Sequence, residues 1–207
     1  MALRYFVNGT TTNSWNSTSN WSTTSGGATG STVPSASDDV IFDVNSPSGF
    51  VDASGAIRVC LSLAITGYTN TLTMNGILRV AGGNVTFGSG IRPIEGNGTF
   101  RFDGGTITSN GNAIPNLSCS VSGITITFVD PLTINNMLVC AGNNILITLN
   151  GSNITVKGGI FISTLSNTAL PTVQGTTIIN LQNYNGLYTL IGTLSNTLNI
   201  QKPTRGY

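Results

Sequence analysis

The chain contains no histidine. That removes the commonest metal-binding side chain, and with so few carboxylates it leaves little from which to build a zinc site. Charge is scarce throughout: 7% of the 207 residues are Asp, Glu, Lys or Arg, against roughly 25% in an ordinary globular protein. Eight basic and seven acidic residues give a net charge of +1. No basic stripe exists, so binding to nucleic acid by phosphate neutralisation has no support. No apolar run approaches the length of a membrane span. The opening Met1-Ala2-Leu3-Arg4-Tyr5 lacks the apolar core of a signal peptide, so lysis, or a route that the sequence does not show, is expected if the protein works outside a cell. Three cysteines, Cys60, Cys119 and Cys140, are an odd number at no metal-like spacing. They read as small buried apolar residues. No segment combines helical periodicity with helix caps, so little helix is expected.

Threonine, serine, asparagine and glycine fill the space left by charge. Disorder is the obvious rival for such a composition. Short alternating runs of Val, Ile, Leu and Phe through the last three quarters of the chain exclude it.

These runs repeat. Asn75-Gly76-Ile77-Leu78-Arg79-Val80-Ala81-Gly82-Gly83-Asn84-Val85-Thr86-Phe87 reads as turn, strand, turn, strand, with glycines expected at positive φ in the corners. The pattern returns at Asn97–Thr108, at Asn135–Ile145 and at Asn150–Ile162, with one gap nearly double the others. A turn–strand unit recurring about every 20 residues marks a β-solenoid. Aligning the repeats puts Val80, Phe102 and Cys140 in one inward column and Leu78, Phe100 and Leu138 in another. Arg79 and Arg101 fall in an outward column with Val139, where loss of the Arg79 side chain is expected to cost little. The fold class read from this is all-β: a single-stranded right-handed parallel β-helix over residues 46–207, with an N-terminal capping segment over residues 1–45.

The capping segment holds both tryptophans. Trp15, Trp21 and Phe42 are the candidate cap or docking residues, because an open solenoid end would expose apolar columns and unpaired edges. The order Arg4-Tyr5-Phe6-Val7, Trp15-Asn16, Asn20-Trp21-Ser22, Ser25-Gly26-Gly27, Val33-Pro34, Asp38-Asp39-Val40-Ile41-Phe42-Asp43 resembles the opening of β-helical structural and tail-fibre-like proteins of bacteriophages. Related openings occur in some bacterial surface proteins. Where the usual form has Trp-Val-Gly-Gly, this chain has Phe6-Val7-Asn8-Gly9. The resemblance covers about the first fifth of the chain. It implies a virion or surface setting and no catalytic residues.

Candidate chemistry is sparse. Glu95, Asp103 and Asp130 lie in or near the solenoid, with Arg92 and Arg101 as neighbours in sequence. A glycosidase needs two carboxylates about 5–10 Å apart, a pair that Asp103 with Glu95 would have to supply, whereas isolated turn carboxylates are far commoner. Asp38, Asp39 and Asp43 form the densest acidic group; a calcium site there competes with an Asx turn at Asp38 and strand-end solvation at Asp43. Thr-x-Thr pairs start at Thr71, Thr106 and Thr125, but not at one position of the repeat, which argues against an ice-binding array. The sequons at Asn16 and Asn20 carry no meaning in so polar a chain.

The expected function is therefore non-enzymatic and structural: a bacteriophage fibre, spike or capsid decoration protein, assembled in the host cytoplasm and carried on the virion, with no cofactor. Other virion proteins are its expected partners, and homotrimeric association is compatible with the sequence. A carbohydrate-binding or depolymerising tail protein that meets a host surface glycan is the alternative, for which only Tyr184 and Tyr188 offer aromatics along the shaft. A bacterial surface adhesin is a second alternative. The tail from Gln201 to Tyr207 carries no cap like that at the start, so either a partner covers this end or the native chain continues.

Overall fold

A computed structural model describes residues 1–8, 15–47, 50–52, 57–91, 94–141, 145–148, 154–162, 172–174, 179–181 and 198–200. The capping segment contributes β1 (Leu3–Phe6), β2 (Trp21–Ser22) and β3 (Asp39–Phe42). The coil continues through β4 (Phe50–Asp52), β5 (Ile57–Cys60), β6 (Ser62–Ile65), β7 (Leu72–Met74), β8 (Ile77–Val80), β9 (Val85–Phe87), β10 (Thr99–Phe102) and β11 (Gly105–Thr108). It proceeds through β12 (Ala113–Cys119), β13 (Thr125–Phe128), β14 (Leu132–Cys140), β15 (Leu146–Thr148), β16 (Ile154–Val156) and β17 (Gly159–Ile162). The last strands are β18 (Thr172–Gln174), β19 (Ile179–Leu181) and β20 (Leu198–Ile200). Apart from one 3₁₀ turn at Thr18–Asn20, the described residues contain no helix.

The architecture is an all-β solenoid of about five turns. One sheet runs β18-β15-β13-β11-β9-β6-β3-β1-β2. The second runs β20-β19-β16-β14-β12-β10-β8-β5, with β17 also paired to β14. A short third face consists of β4 and β7, extended by a bridge from Thr73 to Glu95. Among the described residues, every strand pair is parallel except β1 with β2. Parallel pairing follows from coiling, because each turn lays the chain down in the same direction as the turn beneath it.

The columns expected from the repeat are present. Leu78, Arg79 and Val80 pair with Phe100, Arg101 and Phe102, and Leu138, Val139 and Cys140 fall in the same register two turns further on. The nearly double gap contains a whole turn that the repeat does not announce: β12 supplies Leu117, Ser118 and Cys119 to the same columns. Where the repeat has Gly76 and Gly98 it has Pro115, and there the register with β14 shifts between Ile114 and Asn116. Such a bulge is where a strand tolerates proline. The inward column is thus Cys60, Val80, Phe102, Cys119 and Cys140, each buried. Opposite it, Val40, Leu63, Val85, Ile107 and Phe128 stack on the inner face of the first sheet. Full burial of each such side chain is worth about 1.5–3 kcal/mol.

The expectation for the corner glycines holds only in part. Gly82 takes φ +98°, whereas Gly76 is not among the positive-φ residues. At this second corner the demand is for closeness: a Cβ on Gly98 would lie 2.7 Å from the Gly76 carbonyl oxygen. Turns stacked at strand spacing leave no room there for a side chain. The three Thr-x-Thr pairs do not share a position. Thr106 stands over Thr127, so Thr108 of one pair has no counterpart in the other.

Candidate functional site

Phe6, Trp15, Trp21 and Phe42 form an aromatic cluster over the first turn. Trp15 and Trp21 meet edge to face at 5.0 Å, and Phe6 lies 5.8 Å from Trp21 and 5.3 Å from Phe42. The Trp21 indole N–H donates to the Trp15 carbonyl at 2.7 Å. All four rings are buried, so they fill the end of the core and do not present themselves to solvent. Tyr68, which the sequence did not single out, joins them: it packs edge to face with Phe42 at 5.6 Å, and its hydroxyl donates to the Thr71 carbonyl at 3.0 Å. Its one legible signal is an aromatic placed directly after a turn glycine, Gly67. The sequence boundary near residue 45 is not a break in the sheet, because β3 pairs with β6 along its whole length. Asn20 is buried, which closes that sequon to modification in the folded chain.

Beneath the cluster lies an apolar cavity lined by Trp15, Phe42, Arg58, Leu63, Leu72, Met74, Gly76 and Leu78. Its free volume of about 10 Å³ admits no more than one water. Arg58 occupies an inward position of β5, in register with Leu78, and is buried.

The three acids of this group have separate partners, Asp38 and Asp43 in turns and Asp39 across two strands. Asp38 accepts from the Ser35 N–H at 3.0 Å and the Ser35 hydroxyl at 2.7 Å, and its other oxygen lies 3.8 Å from Arg4. Burial acts to raise the Asp38 pKa. The two Ser35 hydrogen bonds, the Arg4 charge and the Ala2 backbone together outweigh it and leave the group below the ordinary value of 3.8. Asp39 accepts from the Ser62 hydroxyl one turn on, and Asp43 closes a turn with Asn45 and Ser46. No group of three or more metal-binding side chains occurs among the described residues.

Of the solenoid carboxylates, Asp130 is likewise committed to a corner. Asp130 takes the backbone N–H groups of Ser109 and Asn110, one turn earlier, on its two oxygens. Asn110 sits there at φ +48°, a conformation Asn tolerates better than most residues. Asp103 does not pair with Glu95. It is 7% exposed and meets Arg79 Nε at 2.5 Å and Arg101 Nε at 3.4 Å. The signal for this was present as Arg101-x-Asp103 beside an arginine in register. Glu95 is exposed at the edge of the short third face. Arg92, Tyr184, Tyr188 and the tail from Gln201 lie outside the described residues.

On the outer face of the first sheet, Asp39, Ser62, Ala64, Asn84 and Thr86 line a shallow groove. It holds hydroxyl and amide groups and no free carboxylate, since Asp39 is engaged by Ser62. The cysteines are buried and free. Burial, with the charge of Asp39, raises the Cys60 thiol pKa far above its ordinary value. Hydrogen bonding to Cys140 in the next turn, then burial, does the same for Cys119. Thiols held this way are poor nucleophiles.

Comparison with models of known families, with curated proteins and with solved structures finds no match to this chain.

Proposed function

We propose that the protein is a non-enzymatic structural component of a bacteriophage virion, a fibre, spike or decoration protein, that works by assembly and surface contact. One observation carries this reading. In the described solenoid Asp103 and Asp130 are bonded into corners or between turns, and the interior is filled by continuous side-chain columns. Groups so held serve rigidity. The order of motifs in the first 45 residues supplies the virion setting. In this reading the parallel ladders form a stiff shaft, and its partners are other virion proteins, with self-association into a trimer as one arrangement. Assembly takes place in the host cytoplasm.

Electron microscopy with an antibody against the chain tests this on particles purified from lysates of cells that produce it. The antibody is expected to label particles, and the chain to co-purify with other virion proteins. A chain that stays out of particles and cleaves a polysaccharide as a soluble monomer would overturn the proposal.

A further inference from the structure

The geometry points to an oxyanion-binding site on the outer face of the second sheet, formed by Arg79 and Arg101 and suited to the carboxylate or sulfate groups of an acidic polysaccharide. The two arginines occupy the same position on adjacent turns, which places their backbones about 4.8 Å apart. Like charges at that spacing repel, and one carboxylate holds them there. The Asp103 side chain is almost fully buried beside both. Arg79 Nε makes an aligned hydrogen bond to one of its oxygens, and Arg101 Nε forms an ion pair with the other. Beyond these contacts neither guanidinium makes a hydrogen bond among the described residues. Their side chains are 40% and 31% exposed.

Two cations share one anion, so the trio carries a net positive charge. Most guanidinium N–H groups remain available, in two planar forks, and the hydrogen bond to Asp103 holds that of Arg79 in place before a ligand arrives. That arrangement matches an oxyanion, which arginine binds through paired N–H groups. In a chain this poor in charge, few other groups compete for such a ligand. The surroundings favour a sugar. Thr99 and Ser118 offer hydroxyls on the same face, and half-buried Ile77 and Val139 offer aliphatic surface to the C–H side of a pyranose ring. Nucleic acid is a poor fit, because its affinity comes from neutralising many phosphates and two arginines neutralise few.

The inference does not rest on the virion proposal, since a chain outside any particle would carry the same site. Titration calorimetry at low salt tests it with three oligosaccharides of matched length: an oligogalacturonate, a heparin fragment and a neutral maltooligosaccharide. One or both acidic ligands are expected to bind and the neutral one not to, the two acidic arms telling carboxylate from sulfate. Arg101→Gln should weaken binding about tenfold, as for loss of one charge-assisted fork, with an unchanged melting temperature showing that the fold survives. Ser118→Arg, which adds a third guanidinium to the column, should strengthen it. Failure of both acidic ligands to bind, equal binding of the neutral one, or wild-type affinity in Arg101→Gln would each overturn the inference.

Discussion

The Asn116 side chain donates to the carbonyl oxygen of Asn97, one turn below, at 2.9 Å. The same amide also reaches the Gly98 carbonyl at 2.9 Å, and its oxygen accepts the Met137 N–H at 3.1 Å from the turn above. One asparagine thus ties three successive turns at the bulge, where the strand ladder is interrupted. Asn116→Ala is expected to cost about 1–3 kcal/mol, from several hydrogen bonds each worth about 1 kcal/mol net. Asn116→Asp should cost more, because it sets a carboxylate against two carbonyl oxygens. Urea denaturation midpoints of the two variants check the order.

Phe102 is 1% exposed, between Val80 and Cys119 in the central column. Phe102→Ala should destabilise by about 3–5 kcal/mol, the range for deleting a core aromatic. Arg79→Ala, which the outward position alone marks as nearly neutral, is expected to be measurably destabilising: it removes the hydrogen-bonded partner of a buried carboxylate and leaves Asp103 with Arg101. The double variant Arg79→Ala with Asp103→Ala should recover part of that loss. Thermal melts of the four proteins decide the matter, and equal melting temperatures for wild type and Arg79→Ala would remove the argument.

Gly105 and Gly111 separate two demands on glycine. Both take positive φ, +103° and +80°. A Cβ on Gly105 would overlap the Gly83 carbonyl of the turn below, whereas one on Gly111 meets nothing within 4 Å. Gly111→Ala should cost about 1–2 kcal/mol, the left-handed penalty alone. Gly105→Ala should cost distinctly more, because the turns must also move apart. Comparing the two by guanidinium denaturation isolates the steric part.

Stability should fall in acid, in part through Asp38. Its folded-state pKa lies below 3.8, so the folded protein holds this proton less tightly than the unfolded chain does. The resulting stabilisation is fully present above the unfolded pKa and is lost as pH falls through the folded value. Asp38→Asn is expected to lower stability at pH 7 and to show a smaller further loss on moving to pH 3 than the wild type. Urea midpoints at the two pH values provide the comparison.

Both tryptophans lie in the buried cluster at the N-terminal end, so their fluorescence reports on that end. Because β3 continues into the first sheet, cap and solenoid should unfold together, with tryptophan emission and far-ultraviolet circular dichroism giving one midpoint. Two separated transitions would make the cap an independent unit.

Composition and periodicity alone determined the all-β coil, the inward columns and the burial of the cysteines. Alternation of apolar and polar residues along a strand leaves only one way to bury a face, and glycine corners at near-regular spacing leave only one way to stack the strands. The sequence could not announce the turn built on β12, since Pro115 stands where the repeat has Gly76 and Gly98 and the pattern is therefore broken. It also could not place the charges. Asp103 is close in sequence to Glu95 and far from Arg79, and only the register of β8 with β10 brings Arg79 beside it. Likewise, only the stacking of turns sets Asp130 above Ser109 and Asn110, and Ser62 against Asp39. Such pairings join residues a full turn apart, so they depend on the exact number of residues in each loop, and a pattern of residue types does not encode that.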